Sequence, residues 1–466
     1  MHAERRSRLS ALERVLRIFT DIRAGEGPTS LALFANVFLI LCAYYFIKPL
    51  RESWIAVSDI RGLSKMEVKA YSSFGQSLLL AGIVSYYGRL SARWPRRTLI
   101  TRATLACMAC LVVFWMLQPG FILANLPGSG IAFYLWVGMF GVFIVAQFWA
   151  FAADLYADER GQRLLPLIGI GATAGAAAGS FLTEQLVRSR WVDSGMLLLL
   201  ANAPLALSIA LTRIADARGP LGTPKHERVR PTAPAAADGH GALVFVLRHR
   251  YLFAAALVAL LTSWVNTNGE NLLFRVVQEG LEQERQAKGI TDPAATIGFV
   301  RAGTAAFYGD YYFWVNVSAL VLQAIVASRL LKYGGFGVIF LMLPTIALVS
   351  YSSMAIIPLL WMVRLMKIAD NSVDYSINNT ARQVLWLPTT AAMKYKAKPV
   401  VDSLFVRLGD GCAALTVLVG VQVLHLSTRH FFYVTVALVL LWLVMAAGIV
   451  REHRRLVAAR SGTAAA

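Results

Sequence analysis

Stretches of about 20 mostly apolar residues, the length a helix needs to cross hydrocarbon, recur twelve times in this chain. They run near 30–57, 68–88, 98–118, 131–156, 164–187 and 194–213, then near 251–275, 307–330, 336–356, 358–380, 399–424 and 430–450. A chain that crosses lipid must satisfy its backbone hydrogen bonds internally, and an α-helix does so within one segment. The composition agrees: 57% of the 466 residues are hydrophobic and 15% charged, where a soluble domain carries about a quarter charged. A soluble globule, a disordered chain, a collagen and a coiled coil are all excluded. The expected fold class is an all-α polytopic membrane protein with twelve transmembrane helices in two six-helix halves. The first, seventh, tenth and eleventh spans are interrupted by charge and are expected to score lowest in hydropathy.

Between the sixth and seventh spans, Pro220, Pro224, Pro231 and Pro234 fall in an Ala-, Gly- and Arg-rich stretch. That composition predicts a flexible linker. The expected organisation is a cytoplasmic amphipathic segment at 1–27, six-helix halves at 28–214 and 248–452, a cytoplasmic linker at 215–247 and a cytoplasmic tail at 453–466. In the first segment Leu9, Leu12, Leu16 and Phe19 recur at helical spacing among arginines, a pattern suited to the inner membrane surface. It is too charged for a cleavable signal peptide.

The net charge of +19, from 45 Lys and Arg against 26 Asp and Glu, would point to nucleic acid in a soluble protein. Sorted by topology, 30 of the 45 cations fall in the tails and the even-to-odd loops, and 10 in the odd-to-even loops. Positive charge concentrates on the cytoplasmic side, so both termini are placed inside and a nucleic-acid partner loses its support. The expected location is the cell inner membrane, with the lipid bilayer as partner and a monomer as the working unit. The longest outer loop, 276–304, mixes Glu279, Glu282, Glu284, Arg285 and Lys288 and is expected to hold a short solvated helix.

Several apparent motifs have plainer explanations. Cys107 and Cys110 have CxxC spacing inside a span, without the strand context or second ligand pair that redox or metal chemistry requires. Gly171, Gly175 and Gly179 lie at i, i+4 and i+8, the small-xxx-small pattern of close helix packing, rather than in a phosphate loop. No P-loop, zinc motif or hydrolase signature occurs, so no enzyme, metal or cofactor is expected. His425 is read as a polar helix cap.

Ionisable groups at membrane depth each cost about 3 kcal/mol on insertion scales and indicate function by default. Lys48, Arg51 and Glu52 share a helical face beside Pro49, which is expected to kink the first span. The fourth span ends at Asp154. The seventh carries Glu270 and then Arg275. The tenth bears Arg364, Lys367, Asp370, Asn371, Asp374 and Asn378 on one stripe. The eleventh brings Asp402, Arg407 and Asp410, and Arg407 has an ion pair open to it with either acid. Lys48 with Arg51, and Arg364 with Lys367, are close like charges, which call for an anion or a facing carboxylate. Tyr44, Tyr45, Trp149 and Tyr375 are candidates to stack on a planar group.

Two halves joined by a mid-chain linker match the major-facilitator arrangement. Gly88–Arg97 resembles that superfamily's Gly-x-Leu-x-Asp-Arg-x-Gly-Arg-Arg loop, departing at Ala92 and Pro95. Four further segments carry a narrower resemblance. They are Ile47-Lys-Pro-Leu-Arg51-Glu52, Phe148-Trp-Ala-Phe-Ala-Ala-Asp154, Asp374-Tyr-Ser with Arg382-Gln-Val-Leu-Trp-Leu-Pro388, and Lys394-Tyr-Lys-Ala-Lys398-Pro-Val-Val-Asp402 with Arg407-Leu-Gly409. Together they resemble the ATP/ADP translocases of plastids and intracellular bacteria and their wider bacterial relatives. That resemblance implies nucleotide–anion exchange, with Arg51, Asp154, Glu270 and Arg382 at the positions of the family's functional charges.

The expected function is a secondary transporter exchanging nucleotides or related organic phosphates by alternating access. The expected substrate contacts are Lys48, Arg51, Asp154, Glu270, Arg275, Arg364, Lys367 and Arg382. Glu52, Asp374, Asp402 and Arg407 are expected to gate or to couple protons. Two alternatives stand beside it: a proton-coupled carrier of another small organic substrate, and a non-transporting scaffold or sensor with a transporter fold.

Overall fold

The computed structural model describes residues 22–23, 25–93, 96–118, 128–156, 158–189, 192–217, 239–390 and 393–464. The amphipathic pattern at Leu9–Phe19 and most of the linker lie outside them, as do the side chains of the basic Gly88–Arg97 loop.

Twelve long helical elements follow the twelve expected spans. The first six are α1 Gly27–Val57, α2 Lys65–Arg93, α3 Arg96–Met116, α4 Ser129–Leu155, α5 Asp158–Arg188 and α6 Met196–Ala217. A short helix, Gly239–Arg248, precedes α7 Arg250–Ala287. Then come α8 Pro293–Ala327, α9 Ser328–Ile356, and α10, which starts as Leu360–Val373 and continues through Asp374–Asn378 and Asn379–Leu385. The last two are α11 Lys398–Val423 and α12 Thr428–Ala464. α9 is not one rod, because Gly335 at φ 68° and ψ −175° breaks it. A backbone of that kind is free only to glycine.

Ten of the described helices are long and apolar enough to cross a membrane. α2 and α10 are the other two. The charge-interrupted α1 is among the most apolar, with a mean hydropathy of 2.1 over its best window. This corrects the expectation for α1, whose charges gather in the last turns and leave a clean stretch before them, and for α11, which at 1.7 stands above the uninterrupted α8 at 1.2. α1 also continues as one helix through Pro49. The outer loop is corrected as well. α7 runs on to Ala287 and α8 begins at Pro293, so 276–304 is mostly two helix extensions joined by a tight turn. At 1.5 Å per residue the 38 residues of α7 span about 57 Å, well beyond the roughly 30 Å of hydrocarbon. The start of α8 is capped by Asp292, which accepts from the Ala295 amide at 2.7 Å, with Pro293 at the first helical position.

The chain forms two packing units that do not coincide with its halves. One holds Met1–Trp54, Gly82–His226 and Arg301–Val317; the other holds Ile55–Ala81, Glu227–Val300 and Ser318–Ala466. In the first, α3 packs against α4 and α6. A Cβ on Gly171, Gly175 or Gly179 of α5 would collide with the carbonyl oxygens of Phe34, Phe38 and Cys42 on α1. The glycine pattern is therefore a packing seam, as its spacing indicated. In the second unit α7 packs on α11 and α12, and α9 on α10 and α12. Leu78, Leu105, Val113, Val349, Leu415 and Val444 are exposed, the apolar exterior of a chain whose solvent is lipid.

Candidate functional site

Each unit buries its own set of charges. In the first, the end of α1 carries Lys48, 8% exposed, and Glu52, fully buried. Arg51 donates to Glu52 Oε1 through Nε at 3.1 Å and also through Nη2. The Arg51 guanidinium lies 4.5 Å from the centre of the Tyr134 ring. The Lys48 ammonium sits 4.0 Å from the Tyr312 ring centre, 5.0 Å from Tyr45 and 5.9 Å from Tyr44. Ring faces attract a cation most strongly when water is excluded, by about 2 kcal/mol. Tyr312 belongs to the run Tyr308–Gly-Asp-Tyr311–Tyr312 on α8, within the Arg301–Val317 segment that packs in this unit.

In the second unit, Lys367 of α10 is fully buried. It donates to Asp370 Oδ2 at 3.0 Å and Asn371 Oδ1 at 3.2 Å, and lies 3.5 Å from Glu270 Oε1 of α7. Asn371 Nδ2 donates to Glu270 at 2.8 Å. Gly269 is required here, because a Cβ would strike the Tyr351 hydroxyl and crowd the Lys367 ammonium. Lys69 of α2, 2% exposed, donates to the Glu270 carbonyl at 3.0 Å and lies over the Phe274 ring at 4.8 Å. Lys69 is not among the charges that the sequence singles out, although it lies just inside the second expected span, 68–88; a charge at a span start was the signal available.

The remaining expected residues are placed as follows. Arg407 pairs with Asp410 at 3.0 Å rather than with Asp402. Asp410 is 8% exposed and also accepts from Ser77 at 2.6 Å, Ser263 at 2.7 Å and Thr267 at 2.9 Å, which ties α2, α7 and α11 together. Asp374 opens the π-helical turn Asp374–Asn378 and accepts from Asn378 at 2.6 Å. Such turns re-aim side chains and gather at functional sites. Arg364 is half-buried one turn before Lys367, whereas Asp154, Arg382 and Asp402 are exposed. Arg275 is half-buried near the far end of α7 and pairs with Glu279 at 3.0 Å. The structure thus brings Lys48, Arg51 and Glu52 together, and Glu270 with Lys367. Among the described residues no group of His, Cys, Asp or Glu is arranged to hold a metal, and Cys107 and Cys110 are unbridged.

No protein-family pattern matches the sequence, and no curated protein matches it. Solved structures do. An auto-inhibited peptide transporter of the POT family superposes with a TM-score of 0.59 at 12% identity, over 92% of this chain and 97% of its own. The nucleoside transporter NupG gives 0.58 at 13% identity, covering 91% and 98%. The human organic anion transporter MFSD10 gives 0.54 at 16% identity, covering 91% and 100%. The fold is major-facilitator-like. It is that of a multi-pass membrane protein, with twelve helices in two six-helix halves. At these identities the likeness is one of architecture.

Proposed function

We propose that this protein is a secondary transporter that exchanges nucleotides or related phosphorylated anions by alternating access. Three things support the reading: a fold shared with solved transporters, the resemblance of the α1, α4, α10 and α11 segments to ATP/ADP translocases, and the two buried charge sets. The last is the observation that carries it. Arg51 is held by Glu52, and Lys367 by Asp370 and Glu270. An anionic substrate competes with these carboxylates for the same donors, so binding exchanges internal ion pairs for substrate ion pairs. A carrier built this way reorients readily with substrate bound and poorly without it, which is the behaviour of an exchanger. Arg51 offers a planar fork suited to phosphate oxygens.

The test is counterflow in proteoliposomes. Labelled nucleotide is expected to enter only against an internal nucleotide, and Arg51→Gln and Lys367→Gln are each expected to abolish entry with the protein still folded. Intact exchange in both variants would sink the anion reading. The complete burial of Glu52 favours a second reading, a proton-coupled carrier with this carboxylate as the proton site. Uptake driven by a pH gradient with no internal substrate would favour it.

A further inference from the structure

Beyond the two charge sets, the second unit contains an open cavity of about 310 Å³. Its volume lies at the lower end of the range for small-molecule sites. The walls come from the first turn of α2, the α7 stretch past Glu270 and the end of α11. Val421 and Leu426 supply the accessible apolar surface, with Met66 and Phe274 buried behind it, and Lys65, Arg275, Gln278, Glu279 and His425 supply the polar surface.

The donors on this surface are only partly used. Arg275 spends Nε on Glu279 at 3.0 Å and Nη1 on the Leu426 carbonyl at 3.3 Å. Among the described residues its Nη2 makes no hydrogen bond, and a guanidinium carries five N–H groups. Lys65 uses two of its three donors, on the Ser58 carbonyl at 2.7 Å and Asp59 at 3.0 Å. The one carboxylate on the wall, Glu279, accepts from Arg275 and from the Thr428 hydroxyl, at 2.7 Å, through the same oxygen, Oε1.

His425 adds an independent observation. Among the described residues it is the one non-glycine with positive φ, at 48°. It ends α11 in the left-handed position that usually holds glycine, with Leu426 N donating to the Gly420 carbonyl at 2.7 Å across it. Glycine would hold this backbone with less strain. The side chain of this residue lines the cavity.

We propose that this cavity, which adjoins the Glu270–Lys367 set, is a second binding site for a small organic anion with an apolar or aromatic body. Arg275 anchors the anionic group, Lys65 and His425 flank it, and the body rests on Val421 and Leu426. The site does not depend on the exchange reading.

The probe is phenyl phosphate, titrated by calorimetry against the full-length protein in lipid nanodiscs. An Arg51→Gln background disables the proposed substrate site. In that background one saturable site is expected. Adding Arg275→Gln lowers its affinity at least about tenfold. Adding His425→Gly lowers the affinity severalfold while the melting temperature holds or rises, an outcome that a merely structural histidine would not give. Absence of saturable binding in that background would overturn the site, as would an affinity unmoved by Arg275→Gln. Nucleotide counterflow is measured in parallel, so failure of the exchange reading and failure of this site are read separately.

Discussion

At the residue scale the chain places full charges where water is scarce and compensates them locally. Lys367 is the clearest instance, an ammonium held by two carboxylates and a carboxamide. Removing one member of a buried ion pair strands the rest, at about 3–5 kcal/mol. Lys367→Met is therefore expected to lower the melting temperature sharply in detergent. Pairing it with Asp370→Asn should recover part of the loss, because one stranded acid is then neutral. Equal melting temperatures for wild type and Lys367→Met would contradict the buried network. Tyr312 tests the first unit in the same way. Tyr312→Phe keeps the ring over Lys48 and is expected to leave substrate affinity near wild type, whereas Tyr312→Ala weakens it several-fold in uptake assays. The sequence identified Lys48, Arg51, Glu270 and Lys367 because a charge inside an apolar span stands out. It could not identify Tyr312 as the ring over Lys48, since α1 and α8 are more than 200 residues apart and nothing local marks the contact.

At the element scale, helix positions followed from hydropathy, while helix ends and pairings did not. α7 outran its expected end because the residues after Arg275 are charged and still good helix formers, and a hydropathy window registers the lipid boundary rather than the end of the hydrogen-bond ladder. The α5 glycines are the exception, a pairing readable from sequence. Gly175→Leu is expected to force α5 from α1 and to reduce the yield of folded protein strongly, since its Cβ would overlap the Phe38 backbone. Gly82→Ala on α2, where a Cβ meets nothing within 4 Å, is expected to be neutral or slightly stabilising. Comparable losses from both would mean that α1 and α5 are not in close contact. Asp410 joins α2, α7 and α11 through four donors. Asp410→Ala removes the acceptor of three hydroxyls and the acid that pairs with Arg407, which keeps only its bond to Ser77, and is expected to destabilise by about 3 kcal/mol, read as a drop in thermal midpoint.

At the scale of the whole molecule, the twelve-span pattern and the mid-chain linker foretold a major-facilitator-like fold, and the superposed transporter structures agree. The interleaving of the two packing units was not legible. Ile55–Ala81 joins the later helices and Arg301–Val317 the earlier ones, an exchange decided by tertiary packing that no periodicity records. The net charge of +19 said little about substrate, because 30 of the 45 cations fall in the tails and the even-to-odd loops. The few cations inside the helices carry the functional argument, and a scaffold without flux would gain nothing from burying them. The measurement that bears most directly on that argument uses purified protein in liposomes preloaded with unlabelled nucleotides, followed by uptake of labelled ATP. The account predicts saturable uptake that depends on internal nucleotide and disappears in Arg51→Gln and Lys367→Gln. Absence of counterflow with every nucleotide tested, from protein shown to be folded, would contradict it.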